Sequence, residues 1–231
     1  MNNLKKYIEV QEIAKKVLAS LKKHISAEAT EQSIVKNAKK LLAEFGAPDT
    51  WYHNVPAFVL LGSRSCLSIS GRDYEPSDEK AGQTNLLTVD LSPKIGNVWG
   101  DCARSYVIEN GVCTDTPTSK EFIEGLETER ILHQKMKEFV TPQSTFSELF
   151  EFGNKLIKKH GYENLDFLAN LGHSIEISSE KRRFIEKQCH VKLGDVAFFT
   201  FEPHIRKNGG RWGFKHENIY YFDEHGKVIE L

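Results

Sequence analysis

Residues 25–46 read ISAEATEQSIVKNAKKLLAEFG, and residues 140–161 read VTPQSTFSELFEFGNKLIKKHG. Set side by side without gaps, Thr30 meets Thr145, Ile34 meets Leu149, and Lys40-Leu41-Leu42 meets Lys155-Leu156-Ile157. Each stretch spaces its apolar residues at helical intervals. Thr30 and Thr145 are placed to cap the helices, and Thr145 with Glu148 forms a capping-box pattern. Gly46 and Gly161 stand where a helix leaves through a left-handed residue.

The likeness extends in both directions. Upstream of the first copy, Val10, Ile13, Ala14, Val17, Leu18, Leu21 and Ile25 recur at helical spacing, with Lys15, Lys16, Lys22 and Lys23 on the wet face. A helix also precedes the second copy, with Thr118 and Glu121 as its capping box and Phe122, Leu126, Leu132, Met136 and Phe139 among its apolar positions. Downstream, Leu87-Thr88-Val89-Asp90 has a counterpart in Phe199-Thr200-Phe201-Glu202, so a carboxylate closes an apolar strand in each half. The expectation is an α+β fold in which a helix-helix-sheet unit is duplicated within one domain, 1–231. Its halves run roughly over 10–113 and 118–231, and their strands meet at a shared site.

Composition narrows the function classes. A formal charge of −1 gives no general reason to expect nucleic acid or an acidic membrane surface as partner. The apolar runs fall far short of a membrane span, and Met1-Asn2-Asn3-Leu4-Lys5-Lys6 leads into an amphipathic segment rather than a secretory h-region. Cys66, Cys102, Cys113 and Cys189 are scattered without C-x-x-C pairing, which reads as reduced thiols and a cytoplasmic location.

Five residues carry the chemistry: Asp90, Asp101, His173, Glu202 and Glu217. Asp90 and Glu202 end apolar strands, Asp101 follows Trp99-Gly100, His173 follows Leu171-Gly172, and Glu217 follows Phe214-Lys215-His216. Carboxylates against apolar runs are costly unless paired or coordinated. Four carboxylates and one imidazole could hold two divalent ions roughly 3.5–4 Å apart, the spacing of two-metal hydrolysis.

The order Asp, Asp, His, Glu, Glu within these local sequences resembles the M24 metallopeptidases, which include methionine aminopeptidases, Xaa-Pro aminopeptidases and prolidases. The likeness rests on Thr88-Val89-Asp90 with Gly100-Asp101 eleven residues after Asp90, on Gly172-His173-Ser174-Ile175, on Thr200-Phe201-Glu202-Pro203, and on Glu217 before Ile219-Tyr220-Tyr221. It runs from about Val10 to Leu231. It implies the pita-bread fold without the additional N-terminal domain of many Xaa-Pro aminopeptidases. It also implies two divalent ions (Mn, Co, Fe or Zn), a peptide substrate, and a homodimer of the kind common among relatives. Asp90 would chelate one ion, Asp101 and Glu217 would bridge the pair, and His173 and Glu202 would complete the other shell. A metal-bridging hydroxide would attack the scissile carbonyl with Glu202 as proton acceptor, giving an aminopeptidase acting on short peptides.

The chain departs from the family at two helper histidines. Asp73 stands at one, in Asp73-Tyr74-Glu75-Pro76, and Glu180 or Ser179 stands at the other, seven or six residues after His173. Glu176 occupies a position that is usually Gly. An ionised carboxylate only accepts hydrogen bonds and would repel a developing oxyanion, so Asp73 and Glu180 are assigned to the catalytic environment in another role, such as receiving a substrate amine. His204 and His216 flank ligand positions and could stand in, or could point away. Arg104 is placed to orient the Asp101 carboxylate. Lys181-Arg182-Arg183 reads as an exposed charged loop, and Trp51, Tyr52 and Trp99 read as core or cleft aromatics. Two other readings remain open: a hydrolase of C–N bonds in a non-peptide substrate, and a pita-bread binding module for peptides or a protein partner.

Overall fold

The protein structure, a computed structural model, describes residues 2–231, with side chains from Leu4 onward. Two helices lead, α1 (Asn2–Leu21) and α2 (Glu31–Glu44). They are followed by β1 (Asp49–Thr50), β2 (Ala57–Leu61), β3 (Asn85–Leu91), β4 (Pro93–Ile95), β5 (Val98–Trp99), β6 (Cys102–Glu109) and β7 (Val112–Thr114). The pattern then repeats with α3 (Lys120–Phe139) and α4 (Phe146–Lys159). Their strands are β8 (Tyr162–Asn164), β9 (Phe199–Phe201), β10 (His204–Lys207), β11 (Gly213–Lys215), β12 (Asn218–Phe222) and β13 (Val228–Glu230).

The duplicated helices form as the sequence predicts. Ser33 N donates to Thr30 Oγ1 and Thr30 N to Ser33 Oγ, closing the cap of α2. Glu148 N donates to Thr145 Oγ1 and Thr145 N to the Glu148 carboxylate, closing that of α4. Gly46 and Gly161 leave the two helices at φ +95° and +79°. The expected capping box of α3 is absent. Ser119 is its N-cap, and the Glu109 carboxylate from β6 accepts from Thr118 N and Ser119 N instead. Glu121, freed of that task, accepts from Arg211 N. A carboxylate from a neighbouring strand satisfies the orphan amides as well as a local one would.

Strand β3 lies between β2 and β6 in an antiparallel sheet ordered β2-β3-β6-β7. Its residues alternate between faces, as a period of two requires. Leu87, Val89 and Leu91 join the core under α1 and α2, while Leu86 joins the core built on α3, α4 and the second set of strands. Asp90 keeps the parity of Leu86 and Thr88, so it points toward the second half. A third cluster, with Tyr7, Val10, Trp99, Ile175, Phe198 and Ile219, seals the seam between the halves. Among the described residues no helix is long and apolar enough to cross a membrane. All four cysteines are free, and Cys102 is buried beside Asp101.

Candidate metal centre

Each ligand side chain is aimed by its backbone. Asp101, in the turn before β6, is gripped by Gln11 of α1: Asp101 N donates to Gln11 Oε1 at 3.0 Å and Gln11 Nε2 donates to the Asp101 carbonyl at 2.7 Å. His173 N donates to Thr200 Oγ1 at 3.0 Å. The preceding Gly172 has φ +137°, and a Cβ there would lie 2.4 Å from the Thr200 carbonyl oxygen, so only glycine allows this approach to β9. The His173 ring places Nδ1 3.0 Å from the Ser174 carbonyl, which puts its proton on Nδ1 and leaves Nε2 as the donor atom facing the cluster. Glu202 follows β9 directly, its N–H donating to the Leu171 carbonyl. Glu217 is anchored across the seam, its N–H donating to the Ala103 carbonyl at 3.0 Å. Arg104 donates to the carbonyl of Glu217 at 2.7 Å. It therefore steadies Glu217 through the backbone, not the Asp101 carboxylate as expected, because β6 carries the two residues to opposite sides.

The five side chains converge. Ligand atoms of Asp101, His173 and Glu217 all lie within 4.8 Å of one another, and so do those of Asp90, Glu202 and Glu217. Glu217 belongs to both groups, and Glu202, expected to share a shell with His173, clusters with Asp90, its Oε1 standing 3.8 Å from His173 Nε2. Asp101 Oδ2 and both carboxylate oxygens of Glu217 are buried with no hydrogen-bond partner. Buried acceptors without donors are costly, and a divalent cation would relieve them, so the residues fit the metal that the donor set implies. An oxygen-rich set with one imidazole suits Mn, Fe, Co or Zn.

The electrostatics of the polypeptide agree. Burial, reinforced by Asp90, pushes the Asp101 carboxyl up to about 7. Burial followed by the Asp101 charge pushes Glu217 well above the usual carboxylate range. Glu202 behaves differently: burial raises it, but the Lys215 ammonium and then His173 outweigh burial and hold it low. Lys215 Nζ lies 2.5 Å from Asp90 Oδ2, 3.0 Å from Glu202 Oε2 and 3.8 Å from Glu217 Oε2.

Asp90, Asp101, His173, Glu202 and Lys215 line a cleft of about 570 Å³, while Glu217 is fully buried. Trp51, Tyr52, Phe58 and Phe184 supply aromatic walls, and His53, Arg72 and Arg182 line it too. Arg182 lies over the Trp51 ring at 5.0 Å and the Phe184 ring at 5.2 Å. Trp51 stacks on buried Trp99 at 4.8 Å and donates from its indole to the Gly100 carbonyl. The structure does not bring Asp73 or Glu180 to this cleft, and both are exposed. Tyr74 turns inward to bond Val59 N and O, which turns its neighbour Asp73 out. Glu180 sits on a short 3-10 turn, Ser179–Lys181, while Arg182 two residues on faces the cleft. His204 lines the cleft with Nε2 2.6 Å from the Ser65 carbonyl, whereas His216 points to the opposite side of its strand, against His133.

Sequence reasoning passed over Lys215 and His53, and it read Arg182 as part of an exposed charged loop, whereas Arg182 is half-buried against the cleft aromatics. Lys215 carried a signal, since it shares strand parity with Glu217. Arg182 and His53 carried none, being placed by loops.

The model of metallopeptidase family M24 matches residues 5–224. The chain belongs to family M24. No curated protein matches it. Solved structures of similar fold include the recombinant prolidase from Thermococcus sibiricus, at 20% identity and a TM-score of 0.82, covering 99% of this chain and 58% of that one. The X-Pro aminopeptidase from Thermotoga maritima matches at 19% identity and a TM-score of 0.82, with 99% and 60% covered. The methionine aminopeptidase from Rickettsia prowazekii matches at 14% identity and a TM-score of 0.75, with 99% and 96% covered. The M24 chain thus has the pita-bread fold and spans about three fifths of the length of the first two structures. At these identities the likeness shows the fold, and the metal-ligand convergence described above is a property of this M24 chain's own residues.

Proposed function

We propose that the chain is a metal-dependent aminopeptidase that releases the N-terminal residue of short peptides. The observation that carries this reading is the convergence of Asp90, Asp101, His173, Glu202 and Glu217, the first four of which line a cleft of peptide size. Prolidases and an X-Pro aminopeptidase among the similar structures support it. Divalent metal held by these residues would supply Lewis acidity, polarising the scissile carbonyl and making water acidic enough to attack. Glu202 is held ionised and at the cleft, so it accepts the proton of the attacking water and passes it to the leaving amine. His173, with its proton committed to Ser174, offers only a lone pair to the centre. The aromatic walls of Trp51 and Tyr52 receive a side chain, and Arg182 presents a guanidinium suited to the carboxylate of a short peptide. His53 stands on the same wall, its pKa lowered by partial desolvation and by Arg72 and Arg182; a neutral imidazole there would carry one N–H to offer a substrate carbonyl.

Mass spectrometry of a mixed peptide library with Mn, Co, Fe or Zn added in turn tests this, with wild type beside Glu202→Gln. Wild type is expected to release single N-terminal residues only with metal, and Glu202→Gln to be slower by about 10²–10⁴-fold. Folded wild-type protein that cleaves nothing with any metal would refute the peptidase reading.

A further inference from the structure

The two ligand groups differ in how their charge is met. In the group of Asp101, His173 and Glu217, no lysine or arginine among the described residues approaches Asp101, whose buried Oδ2 accepts no hydrogen bond and has only His173 Nε2 nearby, at 3.4 Å. In the group of Asp90, Glu202 and Glu217, a cation of the chain itself is already in place. Lys215 Nζ touches oxygens of Asp90 and Glu202 at 2.5 and 3.0 Å and reaches to 3.8 Å from Glu217. These are the same three carboxylates whose oxygens cluster within 4.8 Å. The ammonium therefore stands where a divalent ion of that group would stand.

The position is built rather than incidental. Lys215 ends β11, paired with His204 of β10. Its N–H donates to Ser105 Oγ at 2.9 Å and Ser105 Oγ donates back to its carbonyl at 3.1 Å. Gly213, two residues earlier, lies so close to the Ser65 carbonyl that a Cβ would come within 2.0 Å of it. The strand is thus held from both sides, and the lysine stem has a fixed origin. Lys215 and Glu217 lie two residues apart along the chain and both turn toward Asp90 and Glu202, Lys215 lining the cleft and Glu217 buried beneath it. A side-chain ammonium tethered among three carboxylates competes with a solution cation at high effective concentration.

We propose that Lys215 is a tethered cation that holds the Asp90–Glu202 side of the centre, so that the protein binds one divalent ion tightly, at Asp101, His173 and Glu217. A second ion binds only by expelling the ammonium. This deepens the metal-centre reading above and rests on it.

Mn²⁺ is the probe. Purified full chain, stripped with chelator and dialysed against graded Mn²⁺, is measured for bound metal and by electron paramagnetic resonance. Wild type is expected to retain one equivalent with a six-line mononuclear spectrum. Lys215→Met and Lys215→Gln, each checked for folding by circular dichroism, are expected to take two equivalents and show an exchange-coupled spectrum. The second equivalent should bind them at least about tenfold more tightly than it binds wild type. Wild type binding two equivalents of similar affinity would overturn the inference while leaving the metal centre standing, and it needs no variant to show it. Folded variants that still bind one equivalent would overturn it as well. No Mn²⁺ bound by any folded form would overturn the metal centre and this inference together.

Discussion

The segment from Gly213 to Tyr220 separates two buried polar sites of opposite character. On its cleft side, Lys215 and Glu217 join Asp90, Asp101, His173 and Glu202, a cluster rich in charge with unpaired carboxylate oxygens. On its other side, His216 and Tyr220 face His133 of α3, with Glu129 one helical turn away. There His133 Nδ1 bonds the Tyr220 hydroxyl at 2.7 Å, and Nε2 lies 3.0 Å from the His216 carbonyl. Burial pushes His133 down to about 3 and Glu129 well above the usual carboxylate range, so both are held uncharged. Both sites are polar and titratable, and each holds a carboxyl that burial pushes well up without a hydrogen-bond partner, Glu217 on one side and Glu129 on the other; only the cleft side sets an ammonium, Lys215, among several carboxylates and an imidazole at ligand distance. Burial of ionisable groups alone does not mark a functional site; convergence of several of them at one cleft does.

The largest expected effect lies on the cleft side. Glu217→Gln removes the carboxylate common to both ligand groups and should lower peptide release by at least about 10³-fold, with bound Mn²⁺ lost in parallel. The metal-free variant should melt no lower than metal-free wild type, because the lost carboxylate is buried and accepts no hydrogen bond. A drop in its melting temperature would mean that Glu217 is a structural group like those behind it.

Behind the strand the pattern should invert. His133→Phe leaves the Tyr220 hydroxyl without its 2.7 Å partner and should cost about 1–3 kcal/mol, seen in chemical denaturation, with Mn²⁺ stoichiometry unchanged. Altered stoichiometry would show that the two sides are coupled.

Acid should act through the same histidine. An unfolded chain protonates His133 near its ordinary 6.5, and the folded chain only near 3. Its contribution is therefore complete above about pH 6.5 and is lost as pH falls toward about 3, at up to about 1.4 kcal/mol per pH unit. Melting temperature against pH should show a shallower acid branch for His133→Phe than for wild type. Parallel curves would contradict the burial of a neutral ring.

The smallest effect has the opposite sign. Burial raises the folded-state pKa of Glu129 despite the Lys215 charge, so its contribution is full below the ordinary carboxylate range and is lost as pH rises through the folded value. Glu129→Gln should gain on wild type in melting temperature as pH rises. An unchanged difference across pH would indicate that Glu129 is ionised in the fold.

The repeat between residues 25–46 and 140–161 determined the two helix pairs, down to both threonine caps and both terminal glycines, because capping and helical periodicity are local. Alternation along β3 likewise placed Asp90 opposite the first core. The order of carboxylates and histidine at strand ends was enough to name the family and the five side chains that meet. Tertiary structure decided the rest. Whether Arg104 serves Asp101 or Glu217, whether Asp73 faces the cleft, and that Arg182 and His53 do so depend on loops and cross-strand contacts between residues far apart in sequence. Lys215 could be placed on the right face of its strand by parity. That its ammonium stands among three carboxylates follows only from bringing β3, β9 and β11 together, since charges carried by separate strands acquire their partners only when the sheets pack.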